Sequence, residues 1–246
     1  MKEEAIIMGM PVVIEVVDPE VINSDLHAVL NYFRDVDEQF STYKETSEIS
    51  QINDGKLSPG EYSLEMKKIL SLCEHTKKET NGYFDIEHKG KIDPSGLVKG
   101  YAIWKGAQML LKNGYKNFYI EIAGDIQTMG LNADHEPWRV GIENPFDRTQ
   151  IIKVVKLSGE GIATSGTYIR GNHIYNPLTG EISQEVASVT VIAKNVYEAD
   201  RFATAAFVMG RGALEFIEKK RELSALLVTQ NKTTIKTSNF TQFELT

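Results

Sequence analysis

The alternation of apolar and polar positions divides the chain into a mixed succession of strands and helices. Residues 5–17 (AIIMGMPVVIEVV) are rich in β-branched side chains and predict a strand broken at Gly9 and Pro11. Leu26, Val29, Leu30, Phe33, Val36 and Phe40 then recur at helical spacing, which predicts an amphipathic helix with an acidic outer face. A second helix is predicted from about Leu64 to Thr80, stopped by Asn81-Gly82. A third opens at Asp93-Pro94, with an acid at the cap and proline in the first turn, and runs through Lys112 to Asn113-Gly114. Short strands follow at 117–123, 126–130, 138–143 and 151–157, with two more runs near 161–164 and 172–176. A strand over 187–193 leads into a helix starting at Asn195, with Glu198 placed for a capping box. A short helix (211–219) and a hairpin (223–237) complete the pattern. Regular β-α-β alternation is missing, so an α+β fold with a mainly antiparallel sheet and packed helices is expected. No long polar linker interrupts the chain, so one domain over residues 1–246 is expected.

Composition narrows the partners. The 246 residues are 41% hydrophobic, enough for one large or two small cores. A formal net charge of -7 argues against nucleic acid, because phosphate binding needs a basic face. No apolar run approaches the roughly 18 residues of a membrane span. The opening MKEEAIIMGM lacks the apolar core of a secretory signal, and Cys73 is the one cysteine. An internal disulfide and a cysteine-clustered zinc site are thereby excluded, and a cytoplasmic setting is expected.

Several constellations could carry chemistry. In NVYEADRFATAAFVMG, Val196, Ala199, Ala203, Ala206 and Phe207 form an apolar stripe, and Asp200 and Thr204 share a face at its edge. A carboxylate and a hydroxyl one turn apart suit a hard cation; an acid paired with an arginine and a threonine bonded to its own helix would look the same. In KIDPSGLVKGYAIWKG, Lys99 stands between Gly96 and Gly100 near a helix start, a natural phosphate position, or else it snorkels to solvent. The sequence GYFDI puts Asp85 beside two aromatics, and EIAGDI puts Asp125 at a turn, where such acids are commonly structural. Met8 and Tyr43 read as ordinary core positions. Residues 161–180, GIATSGTYIRGNHIYNPLTG, combine a small-residue cradle at Thr164-Ser165-Gly166 with His173 and an Asn-Pro-x-Thr-Gly turn, and a plain hairpin is the alternative. No Gly-x-Ser-x-Gly elbow frames Ser165, which disfavours a serine hydrolase. Together these are the parts of phosphoryl transfer involving a nucleotide.

The order of these motifs is also diagnostic. IIMGM, FSTYKETSEISQIN, GYFD, IDPSGLVKGYA, IEIAGDIQTMG, WRVGIENP, IATSGTY, HIYNPLTG and ADRFATAAFVMG follow one another as in the FAD:protein FMN transferases, the ApbE-like flavin transferase family, which the chain resembles over nearly its whole length. The resemblance implies an α+β fold similar to T-fold proteins. It also implies magnesium-dependent cleavage of FAD, transfer of FMN through its phosphate to a Thr or Ser hydroxyl of an acceptor flavoprotein, and release of AMP. Carried over by motif, Met8, Tyr43, Tyr83, Phe84, Asp85, Asp93 and Lys99 contact FAD, and Ser165, Gly166, His173 and Ile174 lie near its phosphates. Gly96, through its carbonyl, with Asp200 and Thr204, holds Mg2+, and His173 is the candidate base.

The chain departs from the family pattern in places. Asn176 stands where the family has Asp, and Met10 where it usually has Thr. Only nine positions separate Phe84 from Asp93, where relatives carry several dozen residues. A lipoprotein signal is not seen, and no flavinylation motif marks the chain as its own acceptor. An FAD pyrophosphatase yielding FMN and AMP, or an FAD-binding protein without catalysis, are the alternatives.

Overall fold

The computed structural model describes residues 1–166, 175–180 and 185–245. The chain opens with β1 (Lys2–Ile7) and β2 (Met10–Val16), followed by α1 (Asn23–Phe40), α2 (Glu48–Asn53) and α3 (Leu64–Glu79). A small hairpin, β3 (Glu87–His88) and β4 (Lys91–Ile92), leads into α4 (Ser95–Lys112). Strands β5 (Phe118–Ile122), β6 (Asp125–Met129), β7 (Trp138–Asn144), β8 (Asp147–Leu157) and β9 (Gly161–Gly166) come next. After them come β10 (Val186–Ala193), α5 (Val196–Met209), α6 (Ala213–Glu218), β11 (Ser224–Thr229) and β12 (Thr234–Lys236). Among the described residues, one antiparallel sheet of eight strands has the order β1-β2-β5-β6-β9-β10-β11-β12, while β3–β4 and β7–β8 are separate ribbons. The expectation of an α+β fold with a mainly antiparallel sheet is met.

Side-chain alternation on the central strands explains the layering. On β9, Ile162 and Ala163 point to opposite faces, as do Val191 and Ile192 on β10. Ala163, Val189 and Val191 meet the Ala199, Ala203, Ala206 and Phe207 stripe of α5. Ile162 and Ile192 instead meet Val140, Ile142, Val155 and Leu157 of the β7–β8 ribbon and Phe240 near the end of the chain. Covering on both faces is why every residue of β10 and β11 is buried. Farther along the sheet, α1, α3 and α4 pack on β1, β2 and β5 around Phe33, Tyr101 and Phe118. Gly161 permits the closest approach: a Cβ there would fall 1.9 Å from the backbone nitrogen of Val196, where α5 begins.

Local signals account for the element ends. Helix α3 starts where the Ser63 side chain accepts from Met66 N–H, and it stops before Asn81 and Gly82, both at positive φ. Helix α5 starts where Asn195 accepts from Glu198 N–H at 2.9 Å. The Glu198 carboxylate turns to Arg201 instead of reaching back, so only half of the expected capping box forms. The predicted strand over 5–17 is a hairpin. Met8 and Gly9 both take positive φ, 56° and 67°, the signature of a two-residue turn, and Ile7 pairs with Met10. Of the run near 172–176, only Tyr175 and Asn176 belong to the described residues.

Candidate active site

Helices α2, α4 and α5, the β3–β4 hairpin and strand β9 converge on a cavity of about 1120 Å3. Helix α4 supplies its first turn. The Asp93 carboxylate accepts from Ser95 N–H at 3.0 Å, so the acid caps from just ahead of Pro94 and fixes where the helix begins. The preceding residue, Ile92, is held by Asn53 of α2, whose side chain donates to the Ile92 carbonyl and accepts from Ile92 N–H. That two-way bond stitches α2 to β4 beside the cavity.

The contact between α4 and α5 is matched turn for turn. Gly96 and Gly100 lie four apart on α4, and Asp200 and Thr204 lie four apart on α5. The Thr204 hydroxyl donates to the Gly96 carbonyl at 3.2 Å, and Asp200 Oδ2 accepts from Gly100 N–H at 2.8 Å. Only glycine fits at 100, since a Cβ would sit 2.6 Å from the Asp200 Cβ. Ser165 on β9 brings its hydroxyl within 3.5 Å of Thr204 Oγ1. Arginine pairing and self-bonding, the plainer readings of Asp200 and Thr204, are not what the fold builds. Arg201 turns away to Glu79 and Glu198, and Thr204 bonds across to α4.

Lys99 does not snorkel to solvent. Its ammonium lies 2.9 Å from Oδ2 of Asp125, the first residue of β6. The contact is an ion pair whose alignment falls outside that of a hydrogen bond. Asp125 is only 1% exposed, and its other oxygen accepts from Thr164 N–H at 3.4 Å. Burial and then the Asp125 charge push the Asp200 carboxyl well above the usual carboxylate range, against the pull of Lys99 and Gly100 N–H. Asp125 is the residue the sequence reading undervalued. Its one signal was a Gly-Asp step between two strands, which reads equally well as a turn.

Most of the expected FAD contacts line this cavity: Tyr43, Tyr83, Phe84 and Asp85 on one side, Asp93, Gly96 and Lys99 along α4. Ser165, Gly166, Asp200 and Thr204 close it. Tyr43 is 91% exposed, a flat ring on the rim and not the core position its sequence context suggests. Asp85 is tied to Lys77 at 2.7 Å. Met8 sits apart, in the β1–β2 turn against the main core and outside the cavity lining. His173 and Ile174 lie outside the described residues. Tyr175 lines the rim, with its ring against His88 at a centroid distance of 3.8 Å. Burial and the carboxylates of Asp85, Asp93 and Glu87 push its phenol up to about 12.

Among the described residues, no three His, Cys, Asp or Glu side chains cluster as metal ligands. The oxygens that do converge are one carboxylate, two hydroxyls and one carbonyl: Asp200, Thr204, Ser165 and Gly96. A sparse, all-oxygen set of this kind fits Mg2+, which keeps several waters and takes further oxygens from substrate phosphates. The ApbE family model matches residues 8–89 and 86–227. The chain belongs to the ApbE family. Its two matched segments meet inside the β3–β4 hairpin, where only nine positions separate Phe84 from Asp93. An FAD:protein FMN transferase of Vibrio cholerae serotype O1 is 31% identical over 180 residues, covering 69% of this chain and 54% of the relative. The chain spans about half the length of the first curated relatives it matches. In fold it is similar to the flavin transferase ApbE from Vibrio cholerae (TM-score 0.85, 23% identity, 99% of this chain and 98% of that one). It is also similar to the ApbE protein of Thermotoga maritima MSB8 (TM-score 0.88, 23% identity, 100% and 99%).

Proposed function

We propose that this protein is a magnesium-dependent flavin transferase. It moves FMN from FAD onto a Thr or Ser hydroxyl of an acceptor flavoprotein and releases AMP. The observation that carries this reading is the meeting of Lys99, Ser165, Asp200, Thr204 and the Gly96 carbonyl around one dinucleotide-sized cavity. The curated relatives' name, FAD:protein FMN transferase, supplies the reaction.

The placement of the described residues supports their roles, while the role of His173 rests on the family motif. The Tyr43 and Tyr83 rings offer flat faces for the aromatic ends of FAD. Lys99 and the Ser165-Gly166 stretch meet the pyrophosphate. Asp200, Thr204 and the Gly96 carbonyl would hold Mg2+, which supplies charge neutralisation at the bridging oxygen. The acceptor oxygen forms its bond to the FMN phosphorus as the bond from that phosphorus to the bridging oxygen breaks. AMP leaves with the electron pair. His173 takes the hydroxyl proton, since imidazole titrates near neutral pH.

Asn176 in place of the family's Asp keeps the local turn. Its side-chain oxygen accepts from Leu178 N–H at 2.9 Å, a job either residue performs. The testing experiment is FMN transfer by Asp200→Ala: transfer falls to background if the reading is right, and unchanged transfer overturns the metal assignment. FMN and AMP appearing without any acceptor would instead mark a pyrophosphatase. Tight FAD retention without turnover would mark a binding protein.

A further inference from the structure

We infer that Asp125 is a positioning residue of this site: from behind the cavity wall it fixes the Lys99 ammonium and ties it to the strand that carries Thr164 and Ser165. The inference rests on the flavin-transferase reading of the cavity. Asp125 is 1% exposed and does not line the cavity, whereas Lys99 is partly open and does. Asp125 can therefore reach a bound substrate only through the cavity-lining neighbours it acts on, Lys99, Asp200 and Thr164. Its two oxygens face different elements, one the Lys99 ammonium of α4 at 2.9 Å and the other the Thr164 N–H of β9 at 3.4 Å. Asp125 itself begins β6, directly after Ala123 and Gly124, both at positive φ (49° and 89°). A tight turn thus aims this carboxylate inward.

A core built only for stability would not place two buried carboxylates, Asp125 and Asp200, around one lysine, because each adds a desolvation penalty and repels the other. Such an arrangement at a cavity wall marks a site. A lysine side chain is long and loses much rotational freedom when held. Holding the ammonium in an ion pair with Asp125 settles part of that loss before substrate arrives.

The test compares wild type, Asp125→Asn, Asp125→Glu, Lys99→Met and the Lys99→Met/Asp125→Asn double variant, after melting curves confirm folding. Asp125→Ser replaces the Asn variant should that one not fold. Two readouts are taken. Nitrogen relaxation of the Lys99 ammonium, without ligand, is expected to show an ordered group in wild type, a less ordered one in Asp125→Asn, and partial recovery in Asp125→Glu. Calorimetry with FAD and magnesium is expected to show affinity roughly tenfold weaker in Asp125→Asn, with the double variant no weaker than Lys99→Met alone. An equally ordered Lys99 in Asp125→Asn, or losses that multiply in the double variant, would overturn the inference. If wild type binds no FAD, the flavin reading falls by itself, and the relaxation result alone decides whether Asp125 holds Lys99.

Discussion

At the scale of single residues, Asp200 is held under electrostatic tension. It is buried, repelled by Asp125, and has its proton affinity raised above that of an ordinary carboxyl. The sign of its effect on stability follows. Without metal, the folded state holds this proton to a higher pH than the unfolded chain does, whose aspartates titrate near about 4. The contribution is therefore full below that value and is lost as pH rises through the folded value. Asp200→Asn should raise the melting temperature of the metal-free protein near neutral pH while abolishing magnesium-dependent transfer. An unchanged melting temperature would mean that the carboxylate is compensated. Magnesium needs the ionised form, so its affinity should strengthen as pH rises over the same range, which calorimetry at several pH values can check. Gly100→Ala acts by volume and not by charge. A methyl 2.6 Å from the Asp200 Cβ and 2.8 Å from the Val196 carbonyl must push α4 and α5 apart. Denaturant unfolding should register a loss of about 1–3 kcal/mol.

At the scale of elements, the site depends on how α5 is held. Arg201, 4% exposed, bonds Glu79 at the end of α3 and Glu198 one turn back on α5, and its guanidinium also lies 4.2 Å from the Phe202 ring centroid. That latch fixes the helix carrying Asp200 and Thr204 against the one leading into Tyr83 and Phe84. Arg201→Met should destabilise by about 1–3 kcal/mol as the bonds to Glu79 and Glu198 are lost, with the cost limited because Glu79 is open enough to rehydrate. A variant as stable as wild type in denaturant would show that packing alone holds α5. Most elements were legible from pattern and caps. The α1 stripe, the helix start at Asn195 and the Asn81-Gly82 stop all fall where the sequence puts them. The break at Gly9 was legible, but the start of the turn at Met8 was not, because Met8 takes a positive φ that the residue type does not advertise. Helix α2 was missed because six residues with one buried side chain, Ile49, leave no period to read.

At the scale of the whole molecule, the chain brings together groups distant in sequence. Asp93, Gly96 and Lys99 come from one helix, Ser165 from a central strand and Asp200 from the next helix along. Motif order let the sequence propose that meeting, but not Asp125 beneath it, since burial of a Gly-Asp step is a property of the assembled sheet. In the β3–β4 hairpin two short strands join Phe84 to Asp93, and His88 on the first packs against Tyr175 across the rim. His88→Ala should leave folding intact and change the Michaelis constant for the acceptor more than for FAD, which steady-state kinetics with each substrate varied can resolve. The account's central claim is that this cavity delivers FMN to a protein hydroxyl. Its most direct test is the intact mass of an acceptor flavoprotein incubated with the protein, FAD and magnesium. The account predicts added FMN on a Thr or Ser, one AMP released per FMN gained, and no mass gain with Asp200→Ala. FAD consumed while the acceptor keeps its original mass would contradict it.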